Sequence, residues 1–175
     1  MAIGAGFMLI EISQMQRLII YLGHPIYGLS VLLFSLLLSS GIGSYSTKAI
    51  KNFGDRVLPW RLLLLLCLLI VFGLLTSSIL SGSQGLPISM RILVAIIIIF
   101  PIGFFMGMPF PMGMRLASER TISLTPWLWG MNGAMSVTGT VIGALCAVTF
   151  GFRVLLILTA IIYLIAGLIY KANEQ

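Results

Sequence analysis

Leu62-Leu63-Leu64-Leu65-Leu66-Cys67-Leu68-Leu69-Ile70-Val71-Phe72-Gly73-Leu74-Leu75 contains no charge, no amide and no hydroxyl. Carried on to Leu80, the stretch reaches 19 residues. A hydrocarbon core about 30 Å thick needs roughly 20 helical residues to cross it. A helix is the expected form, because it satisfies every backbone N–H and C=O internally where water is absent. Five further stretches have the same character: Ala2–Leu22, Ile26–Gly43, Ile92–Leu116, Trp127–Phe150 and Val154–Tyr170. Short loops join them, so any site must be built mainly from the spans themselves.

Composition points the same way. The hydrophobic fraction is 59% and the charged fraction 8%, whereas a soluble domain carries roughly 25% charged residues. The chain reads as all-α: a polytopic membrane protein of about six transmembrane helices, forming a single domain over residues 1–175. The net charge of +6 does not suggest a nucleic-acid partner, because the basic residues stand singly at the edges of the apolar runs. That placement suits topology signals and headgroup contacts. Cys67 and Cys146 lie in separate spans without CxxC spacing, so neither a disulfide framework nor a zinc site is expected. The first span lacks a basic leader and carries Glu11 within it, which argues against a cleaved signal peptide.

Lysine and arginine set the orientation. With the N-terminus inside, Lys48, Lys51, Arg56, Arg61, Arg115, Arg120 and Lys171 are cytoplasmic, against Arg91 and Arg153 outside. That bias predicts both termini inside, and Trp60, Trp127 and Trp129 then fall at cytoplasmic boundaries. His24-Pro25 should close the first turn, Pro59 precede the third span, Thr125 cap the fifth ahead of Pro126, and Gly151 make the last corner. Residues 81–87 form the external loop. The five leucines from Leu62 and the isoleucines Ile96–Ile99 are apolar all round and suit lipid.

Small residues mark packing faces. Gly139, Gly143 and Ala147 recur every four residues, flanked by Ser136, Thr140 and Ala144. Ser35, Ser39 and Gly43 repeat the pattern in the second span, and Gly103 and Gly107 in the fourth. Such spacing lets two backbones approach closely. The fifth span is expected to pack against the second or fourth.

Polar groups inside the apolar runs are the sharper signal. Glu11, Gln14 and Arg17 follow one another at three-residue spacing along a slowly drifting helical stripe. A charge at mid-membrane costs about 2.5–3.5 kcal/mol on insertion scales, so the stripe should face protein or a wet cavity. One reading is a satisfied knot in which Gln14, Arg17, a backbone group or a partner protein holds the carboxylate. The other is a proton or cation site. The fourth span carries Pro101, Pro109 and Pro111, which remove helical donors and must kink or unwind it. Broken helices at membrane depth recur in transporters. Asn132 reads as an interhelical hydrogen-bonding group. The methionines around the prolines suit an adaptable wall better than a copper site, since no Cys or His joins them. His24, the only histidine, reads as a cap rather than a metal ligand. No nucleophile–base pair, metal-ligand cluster or phosphate-cradling loop is present, so no catalytic residue, metal or cofactor is expected.

Several strings resemble the membrane segment of a bacterial family of integral membrane spermidine-synthase-like proteins. They are Gly6-Phe7-Met8-Leu9-Ile10-Glu11-Ile12, Met15-Gln16-Arg17, Leu22-Gly23-His24-Pro25, Gly107-Met108-Pro109-Phe110-Pro111-Met112-Gly113 and Trp127-Leu128-Trp129-Gly130-Met131-Asn132-Gly133. In that family the segment follows a soluble aminopropyltransferase-like domain. These 175 residues hold no strand-then-glycine-loop pattern for such a domain. The resemblance therefore implies a membrane module of the bacterial inner (cytoplasmic) membrane, not an activity. A looser similarity links Gly43-Ser44, Lys48, Lys51 and Gly54-Asp55-Arg56 to the loop of major facilitator transporters, whose halves are six-helix units. The expected function is a non-catalytic structural or assembly subunit, with the bilayer and other membrane subunits or a homo-oligomer as partners. The alternative is a homodimeric half-transporter moving a small cation or polyamine-like solute past Glu11.

Overall fold

A computed structural model of the chain describes residues 2–49, 57–120 and 125–172. Its elements are helices throughout: α1 (Ala2–Leu22), α2 (Pro25–Ser46), a 3-10 turn (Thr47–Ala49), α3 (Val57–Gly82), α4 (Ile88–Met106), α5 (Pro109–Arg120), α6 (Thr125–Phe150) and α7 (Phe152–Ala172). Among the described residues four stretches are long and apolar enough to cross a membrane: Ile3–Leu22, Pro25–Ser46, Ile88–Arg115 and Thr125–Phe150. Val154–Ile165 is a shorter apolar stretch of helix. The loop residues Lys51, Gly54, Asp55 and Arg56 lie outside the described residues.

The fourth span is two helices. Pro101 sits inside α4, while the chain breaks at Gly107-Met108 and restarts with Pro109 at the head of α5. Proline is tolerated in a first helical turn, where its missing N–H has no intrahelical acceptor. Pro111 two residues on leaves the Gly107 carbonyl without an i+4 donor. The Gly107 N–H still reaches the Gly103 carbonyl at 2.9 Å, so the break is a joint rather than a gap.

Turns are set by backbone chemistry. Gly23 adopts φ +76° and Gly151 φ +79°, the left-handed geometry that a Cβ disfavours. Their N–H groups bond back to the Ile19 and Ala147 carbonyls at 3.0 and 3.1 Å. His24 follows in extended conformation as the N-cap of α2, its Nδ1 accepting from the Ile26 N–H at 3.3 Å, with Pro25 in the first turn. Two boundaries differ from the sequence reading. Pro59 lies inside α3 rather than ahead of it, and Thr125 is the first residue of α6 rather than its cap. The first moves the start of α3 from Leu62 to Val57, with Pro59 in the opening turn where its missing N–H has no intrahelical acceptor, and the second lengthens α6 by one residue.

α1 is the central helix, touching α2, α4, α6 and α7. α2 and α4 run side by side in the same direction, locked through small residues. A Cβ added to Gly43 would run into the Phe104 carbonyl, one on Gly103 into the Ser39 hydroxyl, and one on Gly107 into the Ser40 carbonyl. In an apolar solvent this close fit, not exclusion of water, holds helices together. The reading of Leu62–Leu66 and Ile96–Ile99 as lipid-facing is corrected in part. Leu65 is wholly buried against Ile102, Met106 and Tyr163, and Ile99 is 1% exposed while Ile97 is 61% exposed. A uniformly apolar helix hides which of its faces meets protein.

Candidate functional site on the central helix

Glu11 is the tenth residue of the 21-residue α1, at its middle. It is partly buried, and no hydrogen bond or ion pair reaches its carboxylate from the described residues. Gln14 is turned into the bundle at 2% exposure. Arg17 is engaged, but not with Glu11. The helix explains the separation. Each three-residue step rotates the stripe back by about 60°, so Arg17 lies about 120° round from Glu11 and about 1.7 turns along. The self-contained knot expected from the spacing is therefore not formed within this chain's described residues.

α1 and α6 run in the same direction, so their contacts rise together. A Cβ on Gly4 would lie 2.5 Å from the Asn132 carbonyl oxygen, 2.7 Å from Ser136 Oγ and 2.9 Å from Asn132 Oδ1. One on Gly139 would lie 2.9 Å from the Ala5 Cα, and one on Gly143 2.9 Å from a Leu9 methyl and 3.0 Å from an Ile12 methyl. Gly139, Gly143 and Ala147 are buried. Their partner is α1 rather than the second or fourth helix, which instead pack against each other. Small-residue spacing shows that a face is smooth without naming what it meets. Asn132 Oδ1 is buried between the two helices without a hydrogen-bond donor among the described residues.

The joint between α4 and α5 borders a core of Ile10, Leu65, Ile102, Met106, Met108, Met112 and Tyr163. The Tyr163 ring packs on Gly6 and is 1% exposed, and its hydroxyl has no hydrogen-bond partner among the described residues. Three of the methionines of the proline-rich stretch are thus part of the interior packing. α5 is tied down at two points. Arg115 donates to the Thr47 carbonyl at 3.3 Å, and Phe110 meets Trp129 edge to face at 4.7 Å between ring centroids.

At the other end of the bundle lies a cluster that sequence reading missed. Tyr21 and Ser83 are joined by a 2.8 Å hydrogen bond, and the Arg91 guanidinium stacks 4.9 Å above the Tyr21 ring. Each residue looked like a span edge or a loop residue in isolation. An aromatic at the end of α1 and an arginine just beyond the 81–87 loop were the available signal. Among the described residues no group of three or more His, Cys, Asp or Glu side chains is placed to hold a metal.

Comparison with protein-family models, with curated proteins and with solved structures finds no match to this chain.

Proposed function

We propose that this chain is a non-catalytic membrane module that assembles side by side with other membrane protein subunits. In this reading it crosses the bacterial inner membrane six times with both termini cytoplasmic. The likeness to the membrane segment of spermidine-synthase-like proteins is consistent with such a module.

The observation that carries the reading is the surface of α6. Only 17% of its most apolar window is buried within the chain, against 50% for α1. The exposed face of α2 is built of large residues, among them Ile26, Leu33, Phe34, Leu37 and Ile42, as lipid contact favours. The uncovered part of α6 sets Val137, Val141 and Val148 among Gly130, Gly133, Ala134, Thr138, Thr140 and Ala144. Its threonines return their hydrogens to their own helix, with Thr138 bonded to the Ala134 carbonyl at 2.9 Å and Thr140 to that of Ser136 at 3.0 Å. The result is a face of small and β-branched residues with no polar demand, on which another helix can pack.

The test is the size of the native complex in mild detergent. Gly133→Leu and Ala144→Leu introduce bulk on the uncovered face, and nothing lies within 4 Å of a Cβ at Gly133. The fold should survive and the complex should fall to the single chain. A wild-type chain that is already alone, or complexes indifferent to both changes, would overturn the reading.

A second reading, a homodimeric half-transporter, draws on the unpaired Glu11 and the α4–α5 joint. It requires uptake of small amines into vesicles driven by a proton or cation gradient, and loss of that uptake in Glu11→Gln.

A further inference from the structure

We propose that Glu11 is the docking point for a lysine or arginine carried at mid-depth by a transmembrane helix of a different protein. This rests on the assembly reading above and names the chemistry of the partner.

Three observations converge. Glu11 sits at the middle of α1 with no partner among the described residues. It lies seven residues above Gly4, two turns along the same face, and Gly4 is where α1 meets Asn132 and Ser136 of α6. Thr140 continues that flank four residues above Ser136 and is exposed. The hydroxyls of this flank are already committed as donors. Ser136 donates to the Asn132 carbonyl at 3.0 Å and Thr140 to the Ser136 carbonyl at 3.0 Å. Apart from the Asn132 amide, what the flank presents outward is a carboxylate and hydroxyl lone pairs, which are acceptors. Hydrocarbon supplies no donor, so the complement is a donor-rich cation.

Symmetry decides between a second copy and a different chain. A two-fold dimer whose axis passes beside Glu11 would set the two carboxylates against each other, two acceptors with no donor between them. An ammonium or guanidinium on a foreign helix satisfies the carboxylate, and the small and β-branched residues exposed on α6 give that helix a face to pack on.

The experiment reconstitutes the chain in phosphatidylcholine vesicles with a synthetic Leu/Ala transmembrane helix carrying Lys, Gln or Leu at its centre. Association is read by energy transfer between labels on the two. The Lys helix should bind about tenfold tighter than the Leu helix, the range of interhelical polar contacts in membranes. Glu11→Gln should remove that preference with an unchanged melting profile in detergent. Glu11→Lys should transfer it to a helix with a central Glu. Equal binding of the three helices to the wild type overturns the proposal. So does energy transfer between copies of the chain that depends on Glu11, and so does Glu11-dependent uptake of spermidine. Native complexes that persist in both Glu11 variants but dissolve in Gly133→Leu leave the assembly reading standing without this pair. A chain that is solitary in every form removes both.

Discussion

The Tyr21 phenol donates its hydrogen to Ser83 Oγ across 2.8 Å, joining residues 62 positions apart in the chain. The direction follows from the second bond of Ser83, whose own hydrogen goes to the Ile79 carbonyl at 2.7 Å. With Arg91 stacked on the ring, the end of α1 fixes both the end of α3 and the start of α4.

Tyr21→Phe keeps the ring and the arginine contact but removes the donor. It should cost about 1 kcal/mol, the usual net value of one hydrogen bond. Faster hydrogen exchange at Ser83–Leu86, with other helices unchanged, is the expected reading. Unchanged exchange there would show that Ser83 is held by its own helix alone.

The α2–α4 seam makes a sharp comparison between neighbouring glycines. Gly43→Ala places a methyl against the Phe104 carbonyl, a backbone atom that cannot swing aside, whereas nothing lies within 4 Å of a Cβ on Gly41. Gly43→Ala should destabilise by about 2 kcal/mol or more, in the range of overpacked cores. Gly41→Ala should be neutral, or gain up to about 1 kcal/mol from helix propensity. Thermal midpoints in detergent decide it, and equal effects would mean the seam is looser than described.

The α1–α6 seam predicts an order of severity. A methyl on Gly139 meets the backbone of Ala5, while one on Gly143 meets side-chain ends of Leu9 and Ile12 that can turn away. Gly139→Ala should therefore lower folded yield more than Gly143→Ala. Gly143→Leu exceeds that tolerance and should wedge the helices apart. A Gly143→Leu protein of normal yield and stability would contradict this packing.

Orientation is tested at two exposed positions, Gln84 and Lys48. In a chain with Cys67 and Cys146 replaced, Gln84→Cys should react with an impermeant reagent in sealed cells, and Lys48→Cys only after lysis. The reverse pattern would invert the proposed topology.

The limits of the helices were largely written in local chemistry. α1 spans the apolar run Ala2–Leu22, and Gly23, His24 and Pro25 end one helix and begin the next through left-handed geometry, a side-chain cap and a fixed φ. The break near Met108 was legible because prolines delete donors wherever they stand. Gly139, Gly143 and Ala147 announced a smooth face for the same reason that any small residue does.

Partners were not legible. That Gly139 lies on Ala5 rather than on α2, that Leu65 is buried while Leu63 is exposed, and that Tyr21 reaches Ser83 all depend on how the described helices are arranged. Nor did the spacing of Glu11, Gln14 and Arg17 reveal that the carboxylate finds no partner among the described residues. Sequence determines hydropathy, turns and the smoothness of a face, because these depend on residues near one another in the chain. Only the tertiary structure decides which faces meet, because in an apolar medium every hydrophobic face is equally at ease and the choice falls to shape.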